Sequence, residues 1–219
     1  MNLTRKFAAE FLGTMFLLAI VVGSGIMGEK LANGNNAIAL LANTIATGAG
    51  LIFLILTFSN ISGSHFNPVV SFTEAWRGNL TWKDSIIYLF GQICGAICGV
   101  AMANVMFELP IIHASTKIRT GFAQWFSEFI ATFGLIMVIR TGSKFHARLV
   151  PFMVAAYITS AYWFTSSTSF ANPAVTIARS MSNTFAGISP DDILPFIISQ
   201  ILGAIAATFL FNWLLQEEN

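Results

Sequence analysis

Residues 169–180 read SFANPAVTIARS, and a proline stands there among apolar residues where an unbroken membrane helix would be expected. The pattern Asn-Pro-apolar-Val occurs once upstream, in SHFNPVVSF at 64–72. Proline at the first helical position gives up only an N–H that would be unpaired there anyway, and asparagine is among the best N-caps, so both stretches read as helix starts. Neither helix can run far: the apolar pieces 67–76 and 172–182 are much shorter than the roughly 20 residues needed to cross a bilayer. A helix that begins at membrane depth is a half-span, and the irregular backbone leading into it is tolerated only where it is buried in protein or lines a wet cavity. The polar runs SGSH at 62–65 and TSSTS at 165–169 fit such a lining.

The rest of the chain has a membrane composition. Of 219 residues 55% are hydrophobic and 10% charged, against about 25% charged in soluble domains, and the mean hydropathy is +0.72. Long apolar stretches place six spans at about 7–27, 37–59, 85–107, 121–139, 149–166 and 191–214. The basic, then apolar start has the outline of a secretory leader, but Glu10 lies within the run and no small-residue cleavage pattern precedes a soluble domain, so a retained first span is expected. A net charge of +1 without a basic cluster argues against a nucleic-acid partner. Cys94 and Cys98, four apart on one helix, read as small packers; a bridge at that spacing would be strained. With no catalytic constellation in sight, no enzyme activity, cofactor or metal is expected.

The chain also repeats itself. FAAEFLGTMFLL at 7–18 aligns with WFSEFIATFGLI at 125–136, setting Glu10 over Glu128, and GQICGAICG at 91–99 aligns with SQILGAIAA at 199–207, setting Gln92 over Gln200 and Gly95 over Gly203. One domain, 1–219, is therefore expected from two repeats of about 1–110 and 118–219. Each holds three spans and one Asn-Pro segment, and an odd number of spans inverts the second copy in the membrane. The expected fold is an all-α membrane protein of six transmembrane helices plus two re-entrant half-helices, with small residues at 91, 95, 99 and at 199, 203, 207 permitting close helix contact. Arg5, Lys6, Arg77, Lys83, Arg140, Lys144 and Arg148 fall on one side of such a bundle and Lys30, Lys117, Arg119 and Arg179 on the other, which places both termini in the cytoplasm.

Half-helices meeting head to head bring two positive dipole ends, each worth about half a charge, to one depth. Cations are repelled there, while the amides of Asn67 and Asn172 offer donors to a passing water or hydroxyl, so neutral polar solutes are favoured. On AEFLGT in the first span, SGSHFNPVV in the first loop, SEFIATFG in the fourth span and NPAV in the second loop, the chain resembles the major intrinsic protein family, the aquaporins and aquaglyceroporins, over essentially its full length. That resemblance implies a pore in each subunit of a homotetramer in the plasma membrane. The likeness of NPAVTIARS to a bacterial branch often associated with arsenic resistance implies a bacterial inner membrane, and neutral metalloid hydroxides such as arsenite beside water and glycerol-like polyols.

Carried over position by position, the motifs are Asn67, Pro68, Val69 and Asn172, Pro173, Ala174, with Val69 where the family usually has alanine. The filter falls on Thr47, Ser160, Ser169 and Val175, and Val175 stands where an arginine is typical. None of the four is large, so a wide pore is expected. Glu10 and Glu128 are read as acceptors bracing the loops rather than as proton relays, and His65 as a loop brace rather than a titrating gate. Arg179, one turn beyond Val175, is open between a vestibule cation, a headgroup contact and a partner for Asp191 or Asp192. The competing functions are a coupled secondary transporter using the intramembrane glutamates and a structural membrane protein with a closed pore.

Overall fold

In the computed structural model, which describes residues 1–216, the chain forms eight α-helices. They are α1 Leu3–Leu31, α2 Asn36–Ser62, α3 Pro68–Trp76, α4 Trp82–Met106, α5 Phe122–Phe145, α6 Val150–Phe164, α7 Pro173–Arg179 and α8 Ile193–Leu214. Side-chain caps start the long helices of the first repeat: Asn2, Asn35 and Thr81 each accept from backbone N–H groups of the turn they open. Helix α2 stops at Gly63, whose φ of +89° is the left-handed cap that glycine adopts without cost, and its N–H returns to Ser59 O.

Five helices are long and apolar enough to cross a membrane. The sixth crossing is α6, of 15 residues, preceded directly by a 3-10 turn at Ala147–Leu149. At about 1.5 Å per helical residue and 2.0 Å per 3-10 residue, the two together approach the roughly 30 Å of a hydrocarbon core. α3 and α7 are the half-spans, of nine and seven residues.

The repeats pack alike, in inverted orientation. Helix α1 lies against α4 and α5 against α8, and the approach is so close that glycine is required at the crossing. A Cβ built at Gly95 would overlap the Phe11 carbonyl, one at Gly99 the Met15 carbonyl, and one at Gly203 the Phe129 carbonyl. Phe11 and Phe129 follow the aligned Glu10 and Glu128, so the same helix pair is built twice. The small-residue stripes serve packing within one subunit, with backbone against backbone. Large apolar side chains such as Phe16, Phe53, Phe90 and Phe209 are left exposed on the outside of the bundle, the surface that a bilayer covers.

Candidate pore and selectivity filter

The two half-helices meet at their N-termini. Asn67 caps α3, its Oδ1 accepting from Val69 N at 3.1 Å, and Asn172 caps α7, accepting from Ala174 N and Val175 N at 3.0 and 3.3 Å. Their amides then cross-link the repeats: Asn67 Nδ2 donates to Ala171 O at 2.7 Å, and Asn172 Nδ2 donates to Phe66 O at 2.8 Å. Each NH₂ has two hydrogens, so one N–H of each asparagine remains after the cross-link.

The loops before these caps carry backbone that L-residues rarely adopt. Ser64 and Phe66 have φ of 55° and 48°, and Thr168, Ser169 and Ala171 have 62°, 52° and 47°. Such residues cost on the order of 1–3 kcal/mol each and persist only where the surroundings hold them. The holding groups are the two aligned glutamates. Glu10 Oε1 accepts from His65 N at 3.0 Å and Oε2 from Phe66 N at 2.7 Å; Glu128 Oε1 and Oε2 accept from Phe170 N and Ala171 N, both at 2.9 Å. Gln92 Nε2 donates to Glu10 and to Ser71 Oγ, and Gln200 Nε2 donates to Glu128 and to Thr176 Oγ1, which ties each carboxylate to its half-helix. Ser62 Oγ adds a 2.6 Å bond to Glu10. Both carboxylates are fully buried and are satisfied by donors rather than by cations. His65 contributes through Nδ1, 2.9 Å from Ser71 Oγ.

Through this junction runs a cavity of about 310 Å³. One wall is loop and cap: Ser64, His65, Phe66 and Asn67 from one side, Ser169, Phe170, Ala171 and Asn172 from the other. The carbonyls of Gly63, Ser64 and His65, and of Thr168, Ser169 and Phe170, accept no hydrogen bond among the described residues. The remaining wall is aliphatic, from Leu17, Val21, Leu51, Ile55, Leu135 and Val154 among others. Neither Glu10 nor Glu128 lines it.

Three of the four expected filter residues, Thr47, Ser169 and Val175, line this cavity together. Ser160 does not. Its side chain is exposed and donates to Ala156 O, and the α6 residues facing the cavity are Val150, Val154, Ile158 and Tyr162. These are four apart, one helical stripe; at about 100° per residue, a position midway between two of them points to the far side. The assignment to Ser160 is thus two residues out of phase, and with it falls the expectation that no large residue stands in the ring. Tyr162 OH lies 3.3 Å from Thr47 Oγ1, so an aromatic side chain stands beside Thr47 in the lining that also holds Val175.

Arg179 is not a vestibule side chain. It is 2% exposed, its Nε donates to Ala186 O, and its guanidinium carbon stacks 3.5 Å from the centre of the Phe170 ring. Neither Asp191 nor Asp192 pairs with it; Asp192 Oδ2 instead accepts from Arg119 N at 2.6 Å. Arg119, which no sequence pattern singled out, is folded in beside it. Its Nε donates to Gly187 O at 2.8 Å, its Nη1 to Ser167 O at 3.1 Å, and its guanidinium carbon lies 4.9 Å from the same Phe170 ring. Two guanidinium groups therefore flank a pore-lining phenylalanine. Lys117 follows, donating to Phe185 O at 2.7 Å. Burial, with Arg119 and Arg179 close by, holds its ammonium down at about 8.

Six crossings, two half-helices capped by asparagine at mid-depth and an amphipathic cavity at their junction define a membrane channel. The chain belongs to the major intrinsic protein family, whose model matches residues 1–154. It is 54% identical over 215 residues to aquaglyceroporin AqpS of Rhizobium meliloti (strain 1021), covering 98% of this chain and 92% of that one. It is 30% identical to aquaporin A of Dictyostelium discoideum, over 97% of this chain and 79% of that protein. Its fold matches the crystal structure of the aquaglyceroporin from Plasmodium falciparum with a TM-score of 0.73 at 20% identity, over 98% of this chain and 97% of the other. The protein is a passive multi-pass membrane channel for water and small uncharged solutes.

Proposed function

We propose that the physiological solutes include glycerol-sized polyols and small neutral hydroxides, arsenite among them, in addition to water. The observation that carries this reading is the ring of Thr47, Tyr162, Ser169 and Val175, which presents hydroxyls but no arginine. Arginine at position 175 would bring a long, always-charged fork into the passage; valine leaves an apolar flank for a carbon backbone or a compact trihydroxide. Tyr162 sets the width, so the ring is narrower than four small residues would make it. Along the wall, unpaired loop carbonyls and the free N–H of each asparagine can replace a solute's hydration partners. The aliphatic side accommodates its C–H face.

Coupled transport is disfavoured because Glu10 and Glu128 are off the passage and saturated with donors. The reading extends to a homotetramer in the bacterial inner membrane with both termini cytoplasmic, supported by the exposed apolar exterior and by the loop charges. Swelling of proteoliposomes tests the function. Glycerol and arsenite flux should rise linearly with gradient, have a low activation energy and ignore an imposed pH gradient. Saturation with pH-driven accumulation would favour a transporter, and flux no greater than in empty liposomes a closed pore.

A further inference from the structure

A second cavity, of about 460 Å³, opens between the C-terminal ends of α3, α5 and α8, at the face where α1 begins and α8 ends. Arg140 of α5 lines it. This side chain is only 6% exposed, yet neither its Nε nor its Nη1 has an acceptor among the described residues. Guanidinium stays charged at any pH of interest, and a buried charge without a partner is costly. Among the described residues the one carboxylate lining the cleft, Glu74, is already engaged: Oε1 accepts from Arg77 Nη1 at 2.8 Å and Oε2 from Asn79 Nδ2 at 2.7 Å. Arg77 and Lys144 also line the cleft; Arg77 is held by Glu74, and Lys144 Nζ donates to Leu215 O. Three helix C-termini, each with a partial negative charge, explain why basic residues gather here. They do not supply Arg140 with an acceptor, since no carbonyl among the described residues reaches its Nε or Nη1.

We propose that this cleft binds a phosphate group, with Arg140 as the anchoring donor and Arg77 and Lys144 completing the field. A buried guanidinium presents parallel N–H donors matched to the edge of a tetrahedral oxyanion, and Ser143 on the rim adds a hydroxyl. The phosphate comes either from a free phosphate or from the headgroup of an anionic lipid, because the cleft lies at the end of the bundle where headgroups sit. Glu74 and Ser143 line both this cleft and the pore, so the bound anion borders one mouth of the channel.

Full-length protein in phosphatidylcholine nanodiscs, titrated with inorganic phosphate by calorimetry, tests the first source. Native mass spectrometry of protein exchanged into a mixture of phosphatidylcholine and phosphatidylglycerol tests the second. In whichever arm binds, Arg140→Gln should weaken binding roughly tenfold or more, as expected for losing a hydrogen bond to a charged group. Arg140→Lys should fall between, and Arg148→Gln, outside the cleft, should bind like the wild type. Removing an unpaired buried charge should also leave Arg140→Gln melting no lower than wild type without phosphate, while phosphate raises the melting temperature of wild type alone. Glu217 and Glu218 follow soon after Leu215 of the cleft in sequence, so both arms are repeated on the Glu217→Gln, Glu218→Gln double variant. The proposal is overturned if neither protein binds in either arm, or if Arg140→Gln binds as wild type does.

Discussion

Val175 and Tyr162 both line the passage, and on the proposed reading they set what it admits. Val175→Arg should suppress glycerol and arsenite flux much more than water flux, because the new side chain both narrows the ring and adds a charge. Tyr162→Ala should act in the other direction, raising glycerol flux relative to water by removing the ring that leans on Thr47. Parallel stopped-flow swelling at matched protein content measures both. An unchanged flux ratio in either variant would remove that residue from the filter. The two differ in how readable they were. Val175 sits three residues after an asparagine that caps a helix, and that short rigid link kept its position legible. The α6 position is separated from Asn172 by the irregular loop 165–171, whose left-handed residues at 168, 169 and 171 change where the chain points, so spacing alone falls on Ser160. The four-residue stripe from Val150 to Tyr162 was the signal that would have fixed the phase. Arg119 and Arg179 were opaque for another reason: their acceptors are carbonyls of Ser167, Ala186 and Gly187, and every residue type supplies a carbonyl.

At the scale of elements, the α1–α4 and α5–α8 crossings were legible as small residues at fixed spacing, since only glycine lets two backbones approach this closely. Gly95→Ala should destabilise by about 1–3 kcal/mol, the usual cost of overpacking, because the clash is with the backbone carbonyl of Phe11 and not with a movable side chain. Gly23→Ala is the contrasting case. Its Cβ would meet the Phe107 ring at 3.5 Å, an ordinary contact, and alanine in a helix interior is favoured over glycine by roughly 0.5–1 kcal/mol. Thermal unfolding in detergent should therefore move in opposite directions for the two variants, and equal losses would refute the close-contact account. The loop carrying Lys117 makes a pH-dependent contribution. Its ammonium is held at about 8 against an ordinary 10.5, so between those values the unfolded chain binds more protons than the folded one. Stability from this group rises as pH climbs through that window. Lys117→Met should lose that rise relative to wild type in melting temperatures measured from pH 7 to 11; parallel curves would contradict it.

For the molecule as a whole, the inverted repeat makes one electrostatic feature out of two short helices. Neither α3 nor α7 alone could hold a strained loop at mid-depth; each is fixed by a glutamate from its own repeat and by an asparagine amide reaching the carbonyl of the other. The sequence carried this architecture in duplicated Asn-Pro and Glu positions, while the reciprocal bonds from Asn67 to Ala171 O and from Asn172 to Phe66 O join residues over a hundred positions apart that no local pattern links. Because both N-termini converge on one depth, their partial charges of about half a unit each add, and Arg119 and Arg179 reinforce them from behind Phe170. Without an arginine at position 175, this combined field is the barrier to cations that the proposed function calls for. Asn172→Asp places a carboxylate at the point of convergence, still able to cap α7 through its oxygen but offsetting the positive ends. The expected result is a measurable cation conductance in planar bilayers, with water permeability retained as evidence that the bundle is intact. Asn172→Ala removes the cap and the cross-link without adding charge, and should lower thermal stability while leaving the bilayer electrically silent. If Asn172→Asp is folded, water-permeable and as silent as the wild type, the converging dipoles are not the barrier, and cation exclusion must rest on the Arg119 and Arg179 pair.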